Sequence, residues 1–577
     1  MAEPLQVGQA HEGDPTGASA LYSVAQIRAV EAAALATLAR GTLMRRAGAA
    51  ATSCAAALLN KLPGAHSLLG VRVLVAAGPG NNGGDAFECA AGLARLGCAV
   101  TVLCAAATGS ADDTDRSQAL QHAQAASREL QLLQTDGTTP SPACLHFADF
   151  ADLPAMQRLC GQSWALVVDG LFGIGLTRPP DGAWPAIIAA INQIDALRLA
   201  LDVPSGLNAD TGMQSPRSAQ PAEPCEPQST LRSTPHATQQ SMPASSAHPD
   251  SCFAATHTLT FIGDKPGLHT GDGRDLAGLV TVAGLDIDAA LLPLPLARLS
   301  CPVAFDAPRH RRRQNSHKGS YGDVQVVGGA AGMTGAAILA ALAALKTGSG
   351  RVLIGFAEAA HAQTGIAGQP ELMCRLAADL DFSAASIVIG PGLGSSSEAA
   401  ALVARACTTA ATLVVDADGL NLVAASPALQ QQVATRGLQR STILTPHPLE
   451  AARLLGITAA AVQADRLQAA TSLARRYAAT VVLKGTGTVI AHADSLTINP
   501  TGNPALASGG TGDVLAGICG ALLAQGWQAH QAALAAVWIH GAAADALVAA
   551  GIGPVGVTAS EIIDAARTVL NAVIAGK

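Results

Sequence analysis

The sequence predicts an α/β protein built from two α/β/α domains in tandem. Three observations carry that expectation. Short Val, Leu and Ile runs alternate with Ala-rich stretches of helical spacing in each half of the 577 residues, the pattern of βαβ units and mostly parallel sheets. Hydrophobic residues make up 49% and aromatic residues 3%, so the cores are packed from small aliphatics, as suits Val-rich strands under Ala-rich helices. The 59 glycines cluster where the runs end, at places where backbone can approach a ligand.

Along the chain, residues 1–20 are expected as a disordered leader, and residues 21–59 carry Ala, Leu and Val at three- and four-residue spacing, a helical pattern. Strands are expected at 71–77, 99–104, 165–168, 197–201, 256–261 and 279–282. Residues 213–252 are dominated by Pro, Ser, Ala, Gln and Thr and lack periodicity. Such a segment cannot bury enough apolar surface to offset its chain entropy. Because strand-like sequence resumes after it, it reads as a disordered insertion inside a first domain of residues 21–290. Residues 291–314, with several prolines and the basic run His310-Arg311-Arg312-Arg313, read as a linker. A second domain, 315–577, has strands expected at 324–327, 351–354, 386–389, 413–415, 442–444 and 480–483. The motifs of the two halves differ, which indicates a fusion and not a duplication.

Composition excludes several classes. A net charge of −7 with 13% charged residues disfavours a nucleic-acid binder. The 12 cysteines form no CxxC pair and no Cys/His cluster at zinc spacing, and read as small buried hydrophobes in a reducing compartment. The N-terminus has neither a basic start nor an apolar run, so it is no signal peptide. Ala-rich stretches such as 334–345 are too short to span a bilayer. The expectation is a cytoplasmic protein with no membrane and no nucleic-acid partner.

In the first half, Gly78-Pro79-Gly80-Asn81-Asn82-Gly83-Gly84-Asp85 joins a strand to a helix. A glycine-dense turn there lets backbone N–H groups and the helix N-terminus face an anion. A tight connection would explain a lone GxG, but not these glycines together with adjacent Asn residues and an Asp. Asp169-Gly170-Leu171-Phe172-Gly173-Ile174-Gly175 ends another strand, where a loop cap and a ligand-facing carboxylate are equally open readings. Asp202-Val203-Pro204-Ser205-Gly206 ends a third. Three oxygen-rich loops at one sheet edge favour a small-molecule site.

In the second half, Asn503-Pro504-Ala505-Leu506-Ala507-Ser508-Gly509-Gly510-Thr511-Gly512-Asp513 precedes an apolar helix. Its glycines and Thr511 suit an anion-binding turn. A carboxylate there repels phosphate unless a cation or a proton transfer intervenes, so Asp513 is a candidate base for a substrate hydroxyl as a phosphoryl group arrives. Lys484-Gly485-Thr486-Gly487-Thr488 suits phosphate contact, although a β-hairpin turn explains it nearly as well. Gly390-Pro391-Gly392-Leu393-Gly394 and Thr445-Pro446-His447-Pro448-Leu449-Glu450 also follow strands, which places His447 at the rim.

On these motifs, together with Phe261-Ile262-Gly263-Asp264-Lys265-Pro266-Gly267-Leu268, the first half resembles the NAD(P)H-hydrate epimerase family over about residues 21–290. The resemblance implies a Rossmann-like domain. It implies that Asn81, Asn82, Gly83, Gly84, Asp85, Gly173, Ile174, Gly175, Leu176, Thr177, Arg178, Pro179 and Asp202 line the hydrated nicotinamide nucleotide. It also implies a potassium ion held by Asn82, Asp169 and Ser205, hard oxygen donors apt for an alkali cation. Asp202 is the candidate catalytic base. Lys265 is its possible partner, with a plain surface lysine as the alternative. The insertion at 213–252 departs from the family, which has a short connection there.

The second half resembles the ADP/ATP-dependent NAD(P)H-hydrate dehydratase family of ribokinase-like fold, over about residues 315–577. Further matches are His317-Lys318-Gly319, Gly328-Gly329 and Thr334-Gly335-Ala336. The resemblance implies nucleotide contact by Lys484, Gly485, Thr486, Gly487, Thr488 and Gly512. It implies hydrate contact by Ala336, Gly392 or Gly394, His447 and Asp513. The two families occur fused in this order. The implied activity is repair of hydrated NADH and NADPH: epimerisation of the R and S hydrates, then dehydration of the S form at the expense of ADP, or of ATP as alternative donor, with magnesium. A homo-oligomer is expected. The competing reading is a small-molecule kinase of the hydroxymethylpyrimidine or hydroxyethylthiazole type fused to a ligand-binding scaffold domain.

Overall fold

The structure, a computed structural model, describes residues 19–63, 67–104, 114–135, 143–150, 158–159, 161–176, 178–214, 251–305, 311–362, 365–383, 385–409 and 411–576. The expected leader up to residue 18, residues 215–250 of the expected insertion, and Thr177 lie outside them. The chain divides into two compact units. One is Tyr22–Leu268 with Asp272–Leu294; the other is His269–Gly271 with Pro295–Lys577 and residues 19–21.

Strands are numbered along the chain; β1 (Ala20–Leu21) belongs to the second unit. The first unit contains β2 (Arg72–Ala77), β3 (Ala99–Cys104), β4 (Cys144–Asp149), β5 (Leu166–Gly170), β6 (Leu197–Leu201), β7 (His257–Phe261) and β8 (Leu279–Ala283). They form one sheet in the order β4-β3-β2-β5-β6-β7-β8, with every pair parallel. A parallel central strand is covered on both faces, and β5 is accordingly buried at every residue. The chain runs outward from β2 to β4, then returns to lay β5 on the other side of β2, so the order reverses between β2 and β5. Sequence patterning missed β4. Its Cys-Leu-His-Phe-Ala-Asp sits at the sheet edge, only Leu145 in it is buried, and a polar-interrupted edge strand shows no apolar run.

The second unit holds β9 (Ala297–Leu299), β10 (Asp323–Gly328), β11 (Arg351–Phe356), β12 (Met373–Leu376), β13 (Ser386–Ile389), β14 (Leu413–Val415), β15 (Thr442–Leu444), β16 (Thr480–Leu483), β17 (Val489–His492) and β18 (Ser495–Ile498). With β1 they form an eleven-stranded sheet ordered β1-β9-β18-β17-β16-β15-β14-β13-β10-β11-β12. From β12 to β16 all pairs are parallel, with the order reversing between β10 and β13. The period of two is visible in the packing. Val388 and Val414 join the core on one face, while Ile387, Ile389, Leu413 and Val415 join the core on the other.

Beyond β16 the sheet turns antiparallel through β17 and β18. Lys484-Gly485-Thr486-Gly487-Thr488 is therefore the turn of a β-hairpin, as its alternative reading had it. The segment expected as linker, 291–314, contains β9, which pairs with both β18 and β1. Three residues are too few to register as a periodic signal. The Ala529–Ala549 helix has the length and hydropathy of a membrane span, but most of one flank packs into the core of this unit, where Ala532, Ala536, Ile539 and Ala543 are buried.

The expected insertion narrows in the structure. Gln214 donates from its backbone N to Asp272 Oδ2 at 3.2 Å and accepts from Ser251 Oγ at 3.3 Å, while Cys252 is buried in a small apolar cluster. The chain thus leaves and re-enters the fold at one spot. Excising residues 215–250 and closing Gln214 to Ser251 with a short Gly/Ser link is expected to move the melting midpoint by no more than about 2 °C, because a composition rich in Pro, Ser and Gln offers little apolar surface to bury. A drop of about 8 °C or more in a scanning calorimeter would show that the segment packs on the fold.

Candidate functional site

In each unit the strand order reverses at one point, the place at which open α/β sheets bind ligands, and in the first unit a cleft lies there. In the first unit the two loops at this point lie backbone on backbone. Gly78 N donates to Gly170 O at 3.0 Å. A Cβ on Gly78 would fall 1.8 Å from Leu171 O, and one on Gly83 would fall 2.0 Å from Gly78 O. Gly84 is pressed against Met44 in the same way. Of the expected contact residues at 81–85, Gly83 and Gly84 are therefore buried packing residues, whereas Asn81, Asn82 and Asp85 line a cleft of about 520 Å3. Gly173, Ile174, Gly175, Leu176, Arg178, Pro179 and Asp202 line the same cleft. The helix Asn81–Arg95 opens on Gly80, whose cap makes no side-chain bond, so its first N–H groups have no side-chain acceptor.

Asp202 is the most constrained group in this cleft. Its φ is +65°, and Ile262, at the end of the adjacent strand, has φ +68°. Both line the cleft. Left-handed backbone at non-glycine residues costs about 1–3 kcal/mol each and tends to mark functional sites. Asp202 Oδ2 accepts from Ile174 N at 2.9 Å. Its Oδ1 is paired with Lys265 Nζ at 2.7 Å. Lys265 is fully buried, which excludes the surface-lysine reading. Its ammonium also donates to Thr260 Oγ1 at 2.5 Å and Phe261 O at 2.9 Å, so each of its three protons has an acceptor and none is left for a ligand.

Beneath the cleft, Asp169 is 1% exposed. It accepts from Ser205 Oγ at 2.7 Å and from the backbone N of Ser205 at 2.9 Å and Leu171 at 3.1 Å. Burial pushes its carboxyl up to about 6 against the pull of those donors. Asn82 Nδ2 donates to Leu201 O at 3.2 Å, but Asn82 Oδ1 is buried without a partner. A buried carbonyl oxygen with nothing to accept from is a costly group, and a cation satisfies it. Asp85 is held well above the ordinary carboxylate range by burial, with the charges of Asp202, Glu31 and Glu88 adding to it. Glu31, raised by burial and by Asp202, also lines the cleft; the sequence reading passed over it and its neighbour Arg28.

In the second unit the loop after β10 meets the loop after β13. Gly329 N donates to Pro391 O at 3.0 Å and Ala330 N to Gly392 O at 2.7 Å. A Cβ on Gly392 would lie 3.2 Å from Ala336 Cβ, so these two expected residues are neighbours. Gly394 N donates to Asp418 Oδ2 at 2.8 Å. Lys484 Nζ pairs with Asp416 Oδ1 at 2.7 Å and lies 3.9 Å from Glu450 Oε2, and it lies 3.4 Å from where a Cβ on Gly512 would stand. Asp513, in the first turn of the Thr511–Ala524 helix, is pushed up to about 7 by burial and by Asp416, with Lys484 opposing.

His447 has a structural part beside the ligand contact expected of it. Its Nδ1 accepts from Leu449 N and Glu450 N, and Glu450 returns the bond from His447 N at 2.8 Å, a capping box that starts the Pro448–Leu455 helix. Burial and Lys484 lower it to about 4, so its ring is neutral near pH 7. Only its Nε2 face, 3.3 Å from Glu450 Oε1, remains. Gly487 is buried against the backbone of His269, while Gly485 and Thr486 are exposed. The sequence reading missed Asp416, Asp418 and Glu450. The first two stand in Val-Asp-Ala-Asp-Gly after β14, a strand-end carboxylate signal of the same kind as Asp169.

Two family models match the chain: NAD(P)H-hydrate dehydratase over residues 324–567 and YjeF-related protein N-terminus over residues 40–267. The bifunctional NAD(P)H-hydrate repair enzyme of Coxiella burnetii is 34% identical over 561 residues, which cover 96% of this chain and 99% of that relative. The bifunctional NAD(P)H-hydrate repair enzyme of Escherichia coli is 33% identical over 513 residues, covering 87% of this chain and 86% of the relative. The ADP-dependent (S)-NAD(P)H-hydrate dehydratase of Neisseria meningitidis is 46% identical over 284 residues, covering 47% of this chain and 92% of the relative.

The raised carboxyl of Asp513 has a consequence for stability. The folded state holds its proton up to about pH 7, whereas an unfolded chain releases it near the ordinary value of 3.8. The folded state therefore binds more protons in this window, and the stability contribution of this group is lost as pH rises through it. Asp513→Asn removes the penalty. The melting midpoint of the variant is expected to gain on that of the parent between about pH 5 and pH 8, by on the order of 2 kcal/mol in stability. A gap that stays constant across that range would show that the carboxyl titrates normally.

Proposed function

The chain belongs to the bifunctional NAD(P)H-hydrate repair enzymes, and from that premise we propose that it carries out both halves of the repair. The first unit interconverts the R and S hydrates of NADH and NADPH, and the second dehydrates the S form at the expense of ADP. The observation that carries the reading is the whole-length likeness to bifunctional relatives, which a lone small-molecule kinase of the hydroxyethylthiazole type would not have. Hydrated NADH given to the enzyme with ADP should regain its near-ultraviolet absorbance, from the R hydrate as well as the S. Recovery from neither, with intact protein, would refute the reading.

Inversion at the hydroxyl-bearing ring carbon needs a proton for the departing oxygen and an acceptor for the proton of the incoming water. We assign the first to Asp85 and the second to Asp202. Asp85 is a carboxyl that burial and neighbouring acids raise well above the ordinary carboxylate range, which suits an acid, and Asp202 is a carboxylate held in an ion pair, which suits a base. Lys265, its protons all committed, holds Asp202 and does not reach substrate. Asn82, Asp169 and Ser205 would hold the potassium ion; the unpartnered Asn82 Oδ1 supports that set. The ion's contribution when bound is positive charge under the loops that face the substrate.

In the second unit, Asp513 takes the proton of the substrate hydroxyl while that oxygen accepts the terminal phosphoryl group of ADP. Loss of the resulting phosphate, a far better leaving group than hydroxide, together with a proton from the neighbouring ring carbon that passes to solvent, then restores the ring double bond. Lys484 and the turn beside it face the phosphates. Magnesium would enter with those phosphates, whose oxygens supply part of its shell. Among the described residues no group of three or more His, Cys, Asp or Glu is placed to hold a metal. We place the enzyme in a reducing, cytoplasmic setting, a reading supported by Cys89, Cys252 and Cys519, buried thiols that burial pushes up to about 12.

Asp513→Asn is expected to lower ADP-dependent NADH recovery from pure S hydrate by about 10²–10⁴-fold while R-to-S epimerisation continues at the parental rate. Parental dehydration would remove Asp513 from the mechanism. Asp169→Ala is expected to abolish both epimerisation and the rise in melting temperature that potassium gives the parent, leaving dehydration of S hydrate in place. A variant that still gains stability from potassium would overturn the metal assignment.

A further inference from the structure

Arg466 opens the Arg466–Tyr477 helix and is 1% exposed. Its guanidinium lies directly behind the turn between β16 and β17. Nη2 donates to Leu483 O at 3.2 Å and Lys484 O at 3.3 Å, and Nη1 to Lys484 O at 3.4 Å and Gln463 Oε1 at 2.8 Å. Nε donates to Thr270 Oγ1 at 3.2 Å, in the His269–Gly271 segment of the same unit. All of these acceptors are neutral. Among the described residues no carboxylate offsets its charge, and burial lowers it only to about 10, so it remains a cation near neutral pH. The nearest acid along the chain, Asp465, is exposed and caps the helix by accepting from Gln468 N at 2.9 Å. A buried charge with only neutral partners is costly.

Two features connect that cation to the turn's outer face. In a trans peptide the C=O and the following N–H point in opposite directions, so drawing Lys484 O inward aims Gly485 N–H outward. Gly485 has φ +138°, and a Cβ on it would fall 2.7 Å from Arg466 Nη1. Glycine thus thins the wall between guanidinium and surface to a single layer of backbone. Resting on the assignment of this turn to the nucleotide, we infer that Arg466 is a positioning residue of the phosphate site: it fixes the outward aim of the Gly485 N–H, and its unpaired charge finds its counter-ion in the phosphates of the bound nucleotide.

The test separates charge from hydrogen bonding, and phosphate from the rest of the ligand. Arg466→Gln keeps a donor for the Leu483 and Lys484 carbonyls and loses the charge; Arg466→Lys keeps the charge. ADP and adenosine are titrated calorimetrically into the parent and both variants of the full chain. Arg466→Gln should weaken ADP by about tenfold or more, as expected for a unit charge one backbone layer from a phosphate, and change adenosine by less than about threefold. Arg466→Lys should recover most of the ADP affinity. Equal losses for ADP and adenosine, or equal behaviour of Gln and Lys, would overturn the proposal. Should the variants fail to fold, the nitrogen resonance of the Arg466 side chain in the parent decides: it should shift on adding ADP and hold still on adding adenosine, and indifference to ADP overturns the proposal. A parent that binds neither ligand would refute the nucleotide assignment instead.

Discussion

At each reversal of strand order the loops are packed backbone on backbone. Gly78 leaves no room for a Cβ beside Leu171 O, and Gly83 leaves none beside Gly78 O. In the second unit a Cβ on Gly328 would fall 2.0 Å from Pro391 O, and one on Gly390 would fall 1.8 Å from Asp416 O. These distances lie far inside van der Waals contact, and the obstructing atoms are main chain, which cannot swing aside as a side chain can. Any residue larger than glycine would separate the loops. With the loops closed, the side chains on either side of them are brought together: Asn82, Asp85 and Asp202 line one cleft in the first unit, and Lys484 pairs with Asp416 beside the Asp513 turn in the second. The glycine count of the chain is thus a requirement of site geometry more than of turn flexibility.

Close packing brings acids into low-dielectric surroundings, and that sets their chemistry. In each unit one carboxylate is matched with a lysine, and a second carboxyl nearby is pushed up by burial and by the first. Two carboxyls in one site whose surroundings push them apart are the arrangement from which acid and base roles follow. The chain reaches it twice on unrelated motifs, which fits a fusion of two separately built sites.

Much of this was legible in the sequence because it depends on glycine and on strand-end polar residues, both of which leave local marks. The strands from β13 to β16 were recognised since each is a short apolar run buried on both faces. Strands β4, β12, β17 and β18 were not, because edge and hairpin positions mix polar with apolar residues and show neither a run nor a clean alternation. Within the sites, Asn82, Asp169, Asp202 and Asp513 announced themselves by standing in glycine-rich motifs. Glu31 and Arg466 did not. Each sits in an ordinary helical sequence, and its importance comes from what the fold brings against it from more than a dozen residues away. His447 shows the converse: its motif is conspicuous, yet one ring nitrogen is taken up by helix capping, a local use that spacing alone does not separate from ligand contact.

The two lysines paired with carboxylates, Lys265 and Lys484, show how the same ion pair serves opposite ends. Lys265 has no exposed surface, and its protons are shared among Asp202, Thr260 and Phe261. Moving it would strand a buried carboxylate, so its effect is to lock Asp202 in a strained backbone conformation at the cleft wall. The side chain of Lys484 is 19% exposed, with one close carboxylate and a second at 3.9 Å. Burial works to lower its pKa, and the charges of Asp416 and Glu450 more than offset that, so it remains a cation with donors to spare. An ammonium held by one close carboxylate at 2.7 Å keeps protons free for an arriving phosphate, whereas a saturated one can only hold. Inversion at carbon needs a fixed acceptor and phosphoryl transfer needs cationic donors left open for the phosphoryl oxygens, so the difference in exposure between these two lysines matches the difference between the reactions assigned to their sites.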